Sequence, residues 1–126
     1  MAVLAAGLWP RLKVGDIVCM EGPLGAGKTT FVRGILQAAG HPGEVRSPTF
    51  NLVHLYDTDP PTLHADLYRV STWSSMGLED EVEHRISFVE WPDRLEGFAD
   101  PDACWWVLIE FEGEGRRVTI RPPVLN

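Results

Sequence analysis

Gly22-Pro23-Leu24-Gly25-Ala26-Gly27-Lys28-Thr29 fits the pattern G-x-x-x-x-G-K-[ST] without a mismatch. Its flanks decide the reading. The apolar run Asp16-Ile17-Val18-Cys19-Met20-Glu21 reads as a short buried strand. Behind the motif, Phe31, Val32, Ile35, Leu36 and Ala39 recur at helical spacing within 30–39, and Gly40 stands where a helix cap belongs. Strand, glycine loop and helix in that order are the context of a phosphate-binding loop. Glycines let successive N–H groups turn inward at the positive end of a helix dipole. Lys28 adds a point charge for the outer phosphates, and the Thr29 hydroxyl suits magnesium. A flexible glycine-rich turn with a chance lysine would explain neither flank. The stretch therefore points to a nucleoside triphosphate site at Gly25, Ala26, Gly27, Lys28, Thr29 and Thr30, with Mg2+ as the companion ion.

At 126 residues the chain reads as one domain over 1–126, short for a protein built on such a loop. Apolar (44%) and charged (23%) contents are those of an ordinary soluble globular chain. No apolar run approaches the roughly 20 residues that span a bilayer, and the start lacks a basic leader, so the expected location is cytoplasmic. Cys19 and Cys104 have no metal-type spacing and read as two buried reduced thiols. Charge is lopsided: residues 1–56 carry 5 basic and 3 acidic side chains, and 57–126 carry 6 and 15, giving +2 and −9. Non-specific affinity for nucleic acid is mostly phosphate neutralisation, so so acidic a chain would meet RNA only through another protein.

Along the chain, Leu4 to Leu12 resembles the tail of an amphipathic helix cut short by Pro10. His41-Pro42-Gly43 is a loop. Residues 51–56 alternate like a strand, 57–61 form a turn, and 62–68 read as a second strand paired with the first as a hairpin. An acidic helix is expected over 73–85, anchored by Met76, Leu78 and Val82. Ile86-Ser87-Phe88-Val89-Glu90-Trp91 is a buried strand, and 104–112 with 117–121 form a C-terminal hairpin through Gly113-Glu114-Gly115. These elements argue an α/β, three-layer P-loop domain with a mixed β-sheet.

In open α/β sheets the ligand lies beyond the carboxyl ends of the strands. A magnesium–nucleotide site there needs a carboxylate from a neighbouring strand end. Glu90, closing an apolar run, and Asp66, within Leu63-His64-Ala65-Asp66, are the two candidates, each with an ordinary solvated carboxylate as its alternative. Glu90 is expected to orient the attacking water, and Asp66 to hold the hydration shell of the metal.

Four motifs in series, Gly22 to Phe31, Ser47-Pro48-Thr49-Phe50, His64-Ala65-Asp66-Leu67-Tyr68-Arg69 and Glu90-Trp91-Pro92, resemble the bacterial TsaE (YjeE) family in order and spacing over roughly residues 12–121. The resemblance implies a small P-loop ATPase of tRNA N6-threonylcarbamoyladenosine synthesis. It would act with TsaD, which transfers the threonylcarbamoyl group, and with its paralogue TsaB. By position it implies phosphate and magnesium roles for Lys28 and Thr29, a γ-phosphate or metal sensor in Thr49, and essential carboxylates in Asp66 and Glu90. Trp91 corresponds to the tryptophan beside that glutamate in the family motif and is expected to contact the nucleotide, with rim packing on Pro92 as the alternative. His64, Tyr68 and Arg69 fit structural and catalytic roles alike. Pro23 stands where the family usually has Asp, which implies that nucleotide binding survives while any coupling through that Asp is altered. The family also usually has a strand and more helix before Leu4, so this chain either lacks that edge or begins upstream.

ATP is favoured over GTP. Ras-like guanine recognition needs Asn/Thr-Lys-x-Asp, and neither Lys13 nor Lys28 is followed two residues later by Asp. The alternatives are a small P-loop kinase, for which no acceptor domain or arginine-rich lid is visible, and a non-catalytic nucleotide-sensing subunit. The arginines expected nearest the phosphates are Arg46 and Arg69.

Overall fold

In a computed structural model, which describes residues 2–23, 25–41, 53–66, 79–90 and 100–124, the first helix is α1 (Ala2–Leu8), continued by a 3₁₀ turn at Trp9–Arg11. Pro10 sits at the start of that turn, where its missing N–H costs nothing. Then come β1 (Ile17–Glu21), α2 (Lys28–Ala38), β2 (Val53–Tyr56), β3 (Thr62–Asp66), α3 (Glu79–His84), β4 (Ile86–Glu90), β5 (Trp105–Glu112) and β6 (Gly115–Arg121). The six strands form one sheet in the order β2-β3-β4-β1-β5-β6. The four central strands run parallel, and β2 and β6 close the two edges antiparallel to β3 and β5. The mixed sheet expected from the sequence is the one found.

Strands covered on both faces carry apolar residues on both sides, which is why β1 and β4 read as unbroken runs. Val18, Met20, Ile86, Phe88, Trp105, Val107 and Ile109 join Leu8 of α1 and Phe31, Val32, Ile35 and Leu36 of α2 in one cluster. Cys19, Leu63, Ala65 and Val89 pack on the opposite face with Val82 of α3. Three layers result, with α1 and α2 together on one face. Cys19 and Cys104 are both free and buried in this second cluster. A hydrogen bond with Cys104, reinforced by burial, pushes the Cys19 thiol well above its ordinary value.

α2 starts at Lys28, so the lysine and threonine of the glycine-rich motif occupy its first turn. It ends in a Schellman arrangement: Gly40 (φ 88°) donates to the Gln37 carbonyl and His41 to that of Leu36, each at 3.0 Å. Of the strand expected over 62–68, Thr62–Asp66 is strand, and of the helix expected over 73–85, Glu79–His84 is helix. Residues 67–78 lie outside the described residues. Arg85 ties the hairpin to this region, donating to Glu81 (2.7 Å) and to the carbonyls of Tyr56 (3.1 Å) and Thr62 (3.0 Å). β5 and β6 are joined by a two-residue turn, with Glu112 paired to Gly115.

Candidate functional site

The period-two alternation of strands sorts the polar residues of β3 and β4. Leu63 and Ala65 point to the α3 face. Thr62, His64 and Asp66 therefore share the other face, as Glu90 does with Ile86 and Phe88. That is the face covered by α2. Register completes the placement: His64 lies opposite Phe88 and Asp66 opposite Glu90, so the two carboxylates stand side by side where β3 and β4 end. β4 is also the direct neighbour of β1, with Met20 opposite Glu90, which brings Glu90 to the mouth of the glycine-rich loop.

The loop passes from β1 to α2 through Gly22 (φ 153°), Gly25 (φ 79°) and Gly27 (φ 111°). Gly22 is also pressed against β5: a Cβ there would lie 2.4 Å from the Ile109 carbonyl oxygen. Gly27 is the N-cap of α2 and offers no side-chain cap, so the first amides of the helix are left for a ligand. Lys28, 5% exposed, donates from Nζ to the Gly22 carbonyl at 2.6 Å. Burial lowers its pKa, opposed first by Glu90 and then by Asp66. Thr29 Oγ1 donates to Glu90 Oε2 at 3.1 Å, and the same oxygen meets His64 Nε2 at 2.6 Å. Glu90 is buried and Asp66 half-buried. Thr30 is exposed on the first turn of α2, beside buried Ala26 and half-buried Gly27.

Of the expected site residues, Gly25, Ala26, Gly27, Lys28, Thr29, Thr30, Asp66 and Glu90 thus surround the carboxyl ends of β1, β3 and β4. Trp91, Thr49 with the rest of 47–50, Arg46, Tyr68 and Arg69 lie outside the described residues. Two further residues enter. His64 bonds the site carboxylate. Arg116, at the start of β6, donates from Nε to the Ala26 carbonyl at 3.1 Å, with its guanidinium 4.3 Å from the Phe111 ring centre. Sequence reasoning passed over Arg116. The usable signal was a hairpin following an apolar strand: were that strand a parallel neighbour of β1, its turn would fall beside the loop.

The family model described as "Threonylcarbamoyl adenosine biosynthesis protein TsaE" matches residues 1–119. The chain is 43% identical over 94 residues to the tRNA threonylcarbamoyladenosine biosynthesis protein TsaE of Aquifex aeolicus, covering 72% of this chain and 68% of that one. It is 37% identical over 109 residues to the Haemophilus influenzae protein of the same name, covering 82% and 68%. With the Synechocystis protein of that name it is 40% identical over 93 residues, covering 68% of this chain and 59% of the relative. Among solved structures, the crystal structure of Bacillus subtilis YdiB superposes with a TM-score of 0.76 at 32% identity, covering 94% of this chain and 74% of that one.

Proposed function

This chain belongs to the TsaE family of tRNA threonylcarbamoyladenosine biosynthesis, and on that premise we propose that it is an ATP-binding and ATP-hydrolysing accessory subunit of that machinery. The observation that carries the reading is the cluster of a buried Lys28, a Thr29 hydroxyl on Glu90 and an adjacent Asp66 at the mouth of the loop. The whole chain acts as one P-loop domain in the cytoplasm. Among the described residues no helix is long and apolar enough to cross a membrane.

The donor set fits a magnesium nucleotide. Thr29 and Glu90 offer the hard oxygens magnesium takes, and the first amides of α2 and Lys28 offer the donors a polyphosphate takes. When bound, Mg2+-ATP supplies the transferable phosphoryl group and the charge neutralisation it needs. Lys28 would exchange the Gly22 carbonyl for a phosphate oxygen. The contact between Thr29 and Glu90 favours the reverse of the roles expected from the sequence: Glu90, sharing a hydrogen bond with the magnesium-type hydroxyl, serves the metal. Asp66, one strand further out, orients the attacking water. On this assignment Glu90→Gln weakens the magnesium dependence of ATP binding. Asp66→Asn leaves binding in place and lowers hydrolysis by roughly 10²-fold or more, the scale of a positioned acid–base group. Swapped phenotypes would restore the original roles, and normal turnover in both variants would remove these carboxylates from the mechanism.

The pure chain is expected to hydrolyse ATP slowly and to be stimulated by a TsaD-type transferase with its TsaB-type paralogue. A missing arginine finger costs factors of roughly 10³ to 10⁵ in such reactions. tRNA reaches the protein through those partners. ATPase assays with and without them test the proposal: rapid turnover by the lone chain would refute the dependence, and binding without turnover in either case would leave a nucleotide sensor.

A further inference from the structure

His64 is a fully buried polar side chain on β3 whose task the nucleotide reading does not explain. Its Nε2 lies 2.6 Å from Glu90 Oε2, the oxygen that also takes the Thr29 hydroxyl. Its other nitrogen, Nδ1, is buried without a hydrogen-bond partner among the described residues. A buried N–H with no acceptor is costly, so a proton on Nδ1 would be badly placed. The neutral tautomer with its proton on Nε2 suits both ends: Nε2–H donates to the carboxylate, and Nδ1 keeps only a lone pair.

A glutamate at a strand end has three side-chain torsions to fix. Thr29 alone is a poor anchor for them, because its hydroxyl is the group a bound magnesium would claim. His64 comes from the other side. β4 lies between β3 and β1, so the imidazole reaches Glu90 from the strand away from the loop and competes with nothing held there. We propose that His64 is the positioning residue of Glu90, holding Oε2 through Nε2–H so that the carboxylate is already fixed in place when the magnesium nucleotide binds. This rests on the role given to Glu90 above. Metal-ligating groups characteristically owe their orientation to such outer hydrogen bonds.

Two measurements on the full chain test it. In nucleotide-free protein, nitrogen-15 NMR of the imidazoles reads the tautomer, with the His64 signal assigned by its loss in His64→Gln. A proton on Nε2 and a bare Nδ1 are expected. A proton on Nδ1 overturns the proposal whatever the protein does with nucleotide. Calorimetric titration with ATP, in Mg2+ and in EDTA, then compares wild type, His64→Gln and His64→Leu. Glutamine keeps a donor at the reach of Nε2, whereas leucine keeps bulk without one. All three should bind alike in EDTA. His64→Leu should lose roughly 10-fold or more of the gain that magnesium brings, the usual scale for an outer partner of a metal ligand, and His64→Gln should recover most of it. A folded His64→Leu protein with the full magnesium gain, or a His64→Gln protein as impaired as His64→Leu, would reduce His64 to core packing. A wild type with no magnesium-dependent ATP binding would sink the nucleotide reading and the role with it, while the tautomer would still decide the contact.

Discussion

Alanine at Gly22 should cost this protein far more than alanine at Gly25, three residues along the same loop. Both glycines have positive φ, 153° and 79°, so each substitution carries conformational strain of about 1–2 kcal/mol. They differ in what a side chain would meet. A Cβ at Gly22 lies 2.4 Å from the Ile109 carbonyl oxygen and 3.4 Å from Ala26 Cβ, whereas at Gly25 nothing lies within 4 Å. Reaching even 3.0 Å would require the loop and β5 to part by 0.6 Å (3.0 less 2.4). Ile109 is fully buried and paired with Val118 in the β5–β6 ladder, so its carbonyl has little freedom to yield. Overpacking of this kind adds about 1–3 kcal/mol. Gly22→Ala should therefore lose about 2–5 kcal/mol and Gly25→Ala only about 1–2, against total stabilities of about 5–15 kcal/mol. Urea melts monitored by tryptophan fluorescence give the comparison, with the slope of free energy against urea unchanged. Equal midpoints for the two variants would refute the argument, since the close approach of loop and β5 would then not depend on a bare Cα.

Lys28→Met should abolish ATP binding yet leave the nucleotide-free fold at least as stable as wild type, because burial disfavours the charged ammonium. That penalty is present while the lysine is protonated in both states. It vanishes above the ordinary lysine range, so wild type should gain on the variant as pH rises through the lowered folded value; a gap that widens with pH would contradict this. Arg116→Ala removes the donor on the Ala26 carbonyl and should weaken ATP binding several-fold, with a stability loss of about 0.5–1.5 kcal/mol, because the arginine is exposed while the bond itself is part-buried; unchanged affinity would show that the hairpin does not brace the loop. Titration with tRNA at physiological salt should show only weak, salt-sensitive binding, with Kd no tighter than roughly 10⁻⁶ M, and tight salt-independent binding would overturn the indirect role.

What the sequence could convey was whatever is local to it. The glycine positions and the 3.6-residue recurrence of Phe31, Val32, Ile35 and Leu36 sufficed for the loop and α2, because the spacing of buried residues on a helix is a short-range property. Glu90 was legible by a short extension, because it closes an apolar strand and strand ends are where ligands sit; Asp66 was legible as a carboxylate on the neighbouring strand, though not as the residue at its end. The bond between His64 and Glu90 was not, since it depends on the register of β3 against β4 and joins residues 26 apart. Arg116 was further from reach. Its contact with Ala26 spans 90 residues and exists because β5 inserts beside β1 in parallel, which no pattern within 104–121 encodes.

Register also explains why one lysine and two acids would be placed together. Asp66 and Glu90 are direct neighbours across β3 and β4, and both bear electrostatically on Lys28. Two carboxylates beside one ammonium make a poor site for a bare polyphosphate, because like charges in a partly buried place repel more strongly than in water. The same pair becomes favourable once a divalent cation accompanies the phosphates, since each carboxylate then faces positive charge. On the proposed function, the arrangement would therefore discriminate against free ATP and for its magnesium complex. Neutralising Glu90 would relax that discrimination from both ends, weakening the hold on the metal while easing the approach of the metal-free nucleotide. The hydrogen bonds from Thr29 and His64 fit this logic, because a carboxylate that must alternate between repelling and ligating is useful only if its position is fixed beforehand.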